Sequence, residues 1–168
     1  TVVTAEPGGD PVARKIRKVL LDSANMISDR AELLLFEAAR AQHVDTVIIP
    51  ALERGCVVIC DRYADSSVAY QGWARGLDIG LVRTLNDYAT GGLKPDLTIL
   101  LDLPVGAGLA RQRKMDRMSS QRLAFHEAVR QGYLSLARSE PERFAVIDAS
   151  QGQAQVLRLA LEAVESRM

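Results

Sequence analysis

An acidic residue and an arginine stand side by side in Cys60-Asp61-Arg62-Tyr63, and Ser66, Ser67, Tyr70 and Gln71 follow before Gly72. A carboxylate at the end of a strand can hold Mg²⁺ through water, and a neighbouring guanidinium can fork onto phosphate oxygens. The hydroxyls and the amide that follow supply neutral hydrogen bonding of the kind that reads a sugar or a base. The same residues also suit a capped turn in which Asp61 and Arg62 merely satisfy each other, and their types alone leave both readings open. Phe36 and Arg40 lie four apart, one helical turn, so they share a face. A ring beside a guanidinium can stack on a base while the guanidinium donates to a carbonyl oxygen. Against this, Phe36 follows Leu33-Leu34-Leu35, and from the residues alone core is the stronger reading.

Other segments carry less. In Glu6-Pro7-Gly8-Gly9 a tight turn lets backbone N–H groups approach an anion. Arg111, Arg113, Lys114, Arg117 and Arg122 form a basic stretch after Gly106–Gly108, either a lid over phosphates or a solvated helix face. His43 and His126 have neither metal spacing nor a companion nucleophile, and receive no chemistry. Trp73 and Arg75, in a Gly-bounded loop, receive no assignment.

The elements that must position these residues follow from the apolar pattern. Short branched runs at Val2–Thr4, Val57–Cys60, Leu97–Leu101 and Phe144–Ile147 alternate with helical stretches, the signature of a parallel sheet covered on both faces. Each run ends at or near an acid: Glu6, Asp61, Asp102 and Asp148. The carboxyl ends of parallel strands face the ligand crevice. Asp10-Pro11 opens a helix to about Leu21. Ser28-Asp29 caps a longer helix running from Arg30 toward Leu52, bent near Pro50. Asp78 opens a helix to about Ala89, closed by Gly91-Gly92. Gln121–Ala137 and Gln153–Glu165 complete the set.

One α/β domain over residues 1–168 is expected, with a lid at approximately 106–122. The 168 residues include 21 Lys plus Arg against 21 Asp plus Glu, so no net field draws the chain to a nucleic acid polymer or a membrane. No apolar run approaches a membrane span and no signal peptide opens the chain. Cys56 and Cys60, read as lying on one side of a strand, suit neither a disulfide nor a zinc site. Reduced thiols and a cytoplasmic setting are expected.

Taken in order, Glu6-Pro7-Gly8-Gly9, Leu35-Phe36-Glu37-Ala38-Ala39-Arg40-Ala41-Gln42, Asp61-Arg62-Tyr63 through Gly72, Ala89-Thr90-Gly91-Gly92-Leu93-Lys94-Pro95-Asp96, Leu101-Asp102-Leu103-Pro104 and Ile147-Asp148-Ala149-Ser150 resemble the bacterial branch of thymidylate kinase. The resemblance implies a three-layer, P-loop nucleoside monophosphate kinase-like fold with strand order 2-3-1-4-5. It implies transfer of a phosphoryl group from MgATP to dTMP for dTTP synthesis, and a homodimer. By position it places Phe36 on thymine, Arg40 on its carbonyl edge, and Ser67 and Gln71 beside the base. Tyr70 falls under the deoxyribose, Glu6 in the acceptor site, Arg62 on the acceptor phosphate, and Asp61 near Mg²⁺ through water. Arg113, Ala149 and Ser150 fall against adenine, and Arg111 and Arg117 in the lid.

No Gly-x-x-x-x-Gly-Lys-[Ser/Thr] loop occurs in the sequence, which opens on Thr1; Ala5 and Ser119 replace a family arginine and glutamate, and the lid is short. The expectation is an amino-terminally incomplete chain without the central strand, leaving a strand-wide gap between Val57–Cys60 and Leu97–Leu101 and a chain that does not fold stably alone. Two further readings stand beside it: a catalytically inactive nucleotide-binding relative, and a kinase for another nucleoside monophosphate.

Overall fold

The computed structural model describes residues 1–112 and 116–167. Strand β1 (Val2–Ala5) leads through a turn into α1 (Pro11–Leu21). Asp10 caps α1, its Oδ1 accepting from the backbone N–H groups of Val12 and Ala13, and Pro11 sits where a missing N–H costs nothing. Helix α2 (Asp29–His43) runs into a π-helical segment, Val44–Ile48, and then α3 (Ile49–Glu53). The expected bend near Pro50 is this widened turn, which precedes a residue that cannot continue the α-helical ladder.

Strand β2 (Val58–Asp61) follows, then α4 (Ala64–Ser67) and a second π-helical segment, Val68–Ala74. Trp73 therefore lies in helix rather than loop, and Cys56 precedes the strand that was expected to contain it. Helix α5 (Ile79–Thr90) begins at an Asp78 cap and ends at a left-handed Gly91. The chain continues through β3 (Thr98–Asp102), α6 (Val105–Ala110), α7 (Leu123–Ser139), β4 (Phe144–Asp148) and α8 (Gln153–Glu165). Both cysteines are free.

All strand pairing is parallel and confined to two pairs. Val2, Val3, Thr4 and Ala5 face Val58, Ile59, Cys60 and Asp61; Thr98 to Asp102 face Phe144 to Asp148 in the same sense. Strands β2 and β3 are not hydrogen-bonded to each other, so the closed four-stranded sheet that would have overturned the expected order does not form. The acids that end β2, β3 and β4 were read one position beyond their strands, but each is the strand's last residue. The buried cluster of Leu33, Val68, Val82, Leu136, Ala137 and Phe144 joins α2, the second π-helical segment, α5, α7 and β4. Phe36 is not part of it. Register partners Val3 and Ile59, by contrast, are 76% and 55% exposed.

Candidate functional site

The site is assembled around the carboxyl ends of β1 and β2. The Glu6 N–H donates to Asp61 O at 2.9 Å, one step beyond the β1–β2 ladder, and this sets the Glu6 carboxylate at the strand ends. The following turn presses against α2. A Cβ on Gly9 would stand 2.0 Å from the His43 imidazole, so only glycine fits there. His43, expected to be inert, lies between Thr4 and Glu6: Nε2 is 2.7 Å from Thr4 Oγ1 and Nδ1 is 3.1 Å from Glu6 Oε1.

Arg40 is 2% exposed and is the hub of this cluster. Its Nε donates to Glu6 Oε2 at 2.8 Å. Its Nη1 lies 2.7 Å from both Glu37 oxygens, 2.7 Å from Asn86 Oδ1 and 3.0 Å from Ser67 Oγ. Burial alone would lower its pKa, but Glu6 and Glu37 outweigh that and hold the guanidinium charged. Nη2 donates to Tyr63 O at 3.2 Å. A guanidinium has two hydrogens on that nitrogen, so one remains without an acceptor among the described residues. Glu37 was visible in the sequence as an i−3 neighbour of Arg40, whereas Asn86 gave no local signal.

That free hydrogen belongs to a residue lining a cavity of about 610 Å³, which Phe36, Ser67, Tyr70, Gln71, Arg62 and Glu6 also line. Both Glu6 oxygens are engaged by Arg40 and His43, so Glu6 holds the pocket's shape. Arg62 has φ +67°, a left-handed conformation that costs a non-glycine residue about 1–3 kcal/mol. The turn puts its guanidinium 5.1 Å from the centre of the Tyr70 ring. Tyr70 also packs edge-on against Phe125 and Tyr133, and Ser66 Oγ lies 2.7 Å from Tyr133 Oη. Burial pushes the Tyr133 phenol up to about 12, so it stays a hydroxyl.

The electrostatics of the cavity are uneven. Arg130 forks onto Asp102 at 2.7 and 2.9 Å, and these bonds hold the Asp102 carboxyl below its ordinary range. Arg17, Arg62 and Arg111 also line the cavity, and none of them forms an ion pair among the described residues. Unneutralised guanidinium groups beside an aromatic ring suit a ligand that is planar at one end and anionic at the other. Arg17, whose Nη1 donates to Pro7 O at 2.8 Å, was not singled out from the sequence.

The remaining expected residues lie off the cavity wall. Asp61 is exposed at the end of β2. Ala149 and Ser150 follow β4, and Ala149 O accepts from Arg111 Nη1 at 3.1 Å. Arg117, expected in the lid, is buried: Nη1 is 2.6 Å from Glu32 Oε2 and Nε donates to Leu20 O at 2.6 Å. Arg113 lies outside the described residues. Arg75, unassigned from the sequence, pairs with the same Glu32.

A parallel α/β fold whose strand ends open on an aromatic, arginine-lined cleft defines the class: an α/β protein with a cleft whose lining suits an anionic ligand with a flat, hydrogen-bonding head. The thymidylate kinase family profile matches residues 1–159. The thymidylate kinase of Desulfovibrio desulfuricans is 52% identical, the match covering 98% of this chain and 81% of that protein. That of Citrifermentans bemidjiense is 51% identical, with 99% and 78% covered. The crystal structure of thymidylate kinase from Ehrlichia chaffeensis superposes with a TM-score of 0.76 at 31% identity, over 98% of this chain and 78% of that one. The chain belongs to the thymidylate kinase family.

Proposed function

We propose that the cavity is the acceptor site for dTMP in the reaction dTMP + ATP → dTDP + ADP. The observation that carries this reading is that one cavity is lined by Phe36, by Arg40, whose Nη2 keeps one hydrogen without an acceptor among the described residues, and by Arg62, which forms no ion pair among them. Thymine stacks on Phe36 and accepts at a carbonyl oxygen from Arg40, while Ser67 and Gln71 meet its edge. Tyr70 supports the sugar and Arg62 holds the 5′-phosphate. An oxygen of that phosphate attacks the γ-phosphorus of ATP, and the bridging oxygen departs with ADP. Such transfer depends on positioning and charge stabilisation rather than on covalent catalysis. Arg113, Ala149 and Ser150 at the adenine and Arg111 in the lid belong to the donor side of this proposal, whereas Arg117 is held away from it by Glu32 and Leu20 O.

Mg²⁺ accompanies the ATP, and when bound it neutralises phosphate charge. Asp61 fits it: the carboxylate is exposed at a strand's carboxyl end and takes no hydrogen bond among the described residues. Mg²⁺ needs only one or two carboxylates beside substrate oxygens and water, and no group of three or more His, Cys, Asp or Glu side chains arranged to hold a metal ion exists among the described residues. Nor is any described helix long and apolar enough to cross a membrane. The homodimer belongs to the same proposal, supported by exposed Leu34 on α2 and Leu52 on α3, and sedimentation tests it.

The function is tested by equilibrium binding and coupled turnover across nucleoside monophosphates. Saturable dTMP binding, with dTDP formed when MgATP is added, is the expected result. Binding without turnover would support the inactive-relative reading, and preference for another monophosphate would replace dTMP as the acceptor.

A further inference from the structure

Glu32, on α2, is the most completely enclosed carboxylate among the described residues, at 0% exposure. It faces donors from every side. Gln71 Nε2 donates to its Oε1 at 2.8 Å. Arg75 Nε donates to Oε1 at 3.2 Å and Nη2 to Oε2 at 3.1 Å, while Arg117 Nη1 lies 2.6 Å from Oε2. Burial alone would raise the Glu32 pKa, but the bonds from Arg75, Gln71 and Arg117 outweigh it and hold the carboxyl below its ordinary value. An ionised carboxylate accepts hydrogen bonds and cannot donate them.

That fixes the polarity of the Gln71 amide. With its NH₂ directed at Glu32, its Oε1 has no partner among the described residues. Gln71 is 1% exposed overall and lines the cavity, and Oε1 is not among the sealed orphan atoms, which are Asp10 Oδ2, Arg117 Nη2 and His126 Nε2. Gln71 lines the cavity and its Oε1 accepts no hydrogen bond among the described residues, which leaves that oxygen available to a ligand there.

We propose that Glu32 is a specificity-determining positioning residue: by locking the Gln71 amide it presents a carbonyl to the base and selects pyrimidines that carry an N–H at ring position 3. Thymine and uracil have that hydrogen. Cytosine has a lone pair there, which would meet the Gln71 oxygen and leave two acceptors facing each other in a buried site. The device separates dTMP and dUMP from dCMP and is blind to the 5-methyl group. It rests on the reading of the cavity as a pyrimidine nucleotide site.

The test is equilibrium titration of dTMP, dUMP and dCMP into the wild-type protein and Glu32→Gln, a residue that can donate as well as accept and so releases the Gln71 amide to turn. The dTMP-to-dCMP affinity ratio should fall at least tenfold, while the dTMP-to-dUMP ratio holds within twofold. Merely loosening the pocket would move both ratios together, and that result overturns the proposal. Glu32→Asp keeps an anion for Arg75 and Arg117 but stops short of the Gln71 amide; it should lose discrimination in the same direction, and it carries the test where Glu32→Gln melts too early to titrate. An unchanged dTMP-to-dCMP ratio in a folded variant also overturns the proposal. A wild-type protein that binds no dTMP overturns the reading of the cavity instead.

Discussion

Arg40 illustrates how a residue placed by spacing can do more than its spacing suggests. A guanidinium four residues after Phe36 reads as a base-edge donor, and one hydrogen of Nη2 is free for that task. The remaining donors are spent on Glu6, Glu37 and neighbouring oxygens. Arg40→Ala should therefore do two things at once, because stripping a buried pair of one partner costs about 3–5 kcal/mol of stability. Arg40→Lys separates the effects. It keeps a cation between Glu6 and Glu37 but lacks the planar fork, so dTMP affinity should fall by about 1.5–3 kcal/mol, with a smaller loss of melting temperature than Arg40→Ala. Calorimetric titration beside thermal unfolding checks both. Tyr70 makes the second residue-scale prediction. Its ring is wedged among Arg62, Phe125 and Tyr133, so Tyr70→Phe should retain the preference for deoxyribose and Tyr70→Ala should lose it, as turnover or binding of deoxy and ribo monophosphates would show.

At the scale of elements, α7 lies against the second π-helical segment with almost no clearance. A Cβ on Gly132 would stand 2.9 Å from Trp73 Cγ and 3.0 Å from Ala69 Cα. Gly132→Ala should thus destabilise by about 1–3 kcal/mol despite alanine's better helix propensity, measurable by denaturant unfolding. Acid pH acts on the Asp102–Arg130 pair that ties β3 to α7. The Asp102 pKa is lowered from 3.8 in the folded state, so its contribution is complete above that value and is lost as pH falls below it. Asp102→Asn should flatten the acid limb of melting temperature against pH. Helix caps at Asp10 and Asp78 were legible in the sequence because one side chain and the backbone N–H groups just after it decide them. The strand runs were legible for a similar local reason, to within a residue at their ends. The π-helical segments were not, since no residue pattern distinguishes a widened turn from an α-helical one. The Glu32 cluster was hidden too: Arg75 and Arg117 lie 43 and 85 positions away, and only the fold brings them together.

Across the whole molecule, two separate parallel pairs hold the site. Parallel sheets are ordinarily covered on both faces, and two-stranded sheets are marginal on their own. Here Val3, Ile59, Leu101 and Val146 are at least half exposed, and β2 and β3 are not hydrogen-bonded to each other. The 168 residues taken by themselves should accordingly bind an apolar dye such as ANS and unfold at low denaturant; strong resistance to denaturant without dye binding would contradict this. The described residues nonetheless line the cavity on which Phe36, Arg40 and Arg62 meet. The most direct measurement of the central claim is a crystal structure with dTMP bound. The account predicts thymine against Phe36, a base carbonyl oxygen on Arg40 Nη2 and the phosphate on Arg62. A nucleotide bound away from this cavity, or turned so that its phosphate meets Gln71, would contradict it.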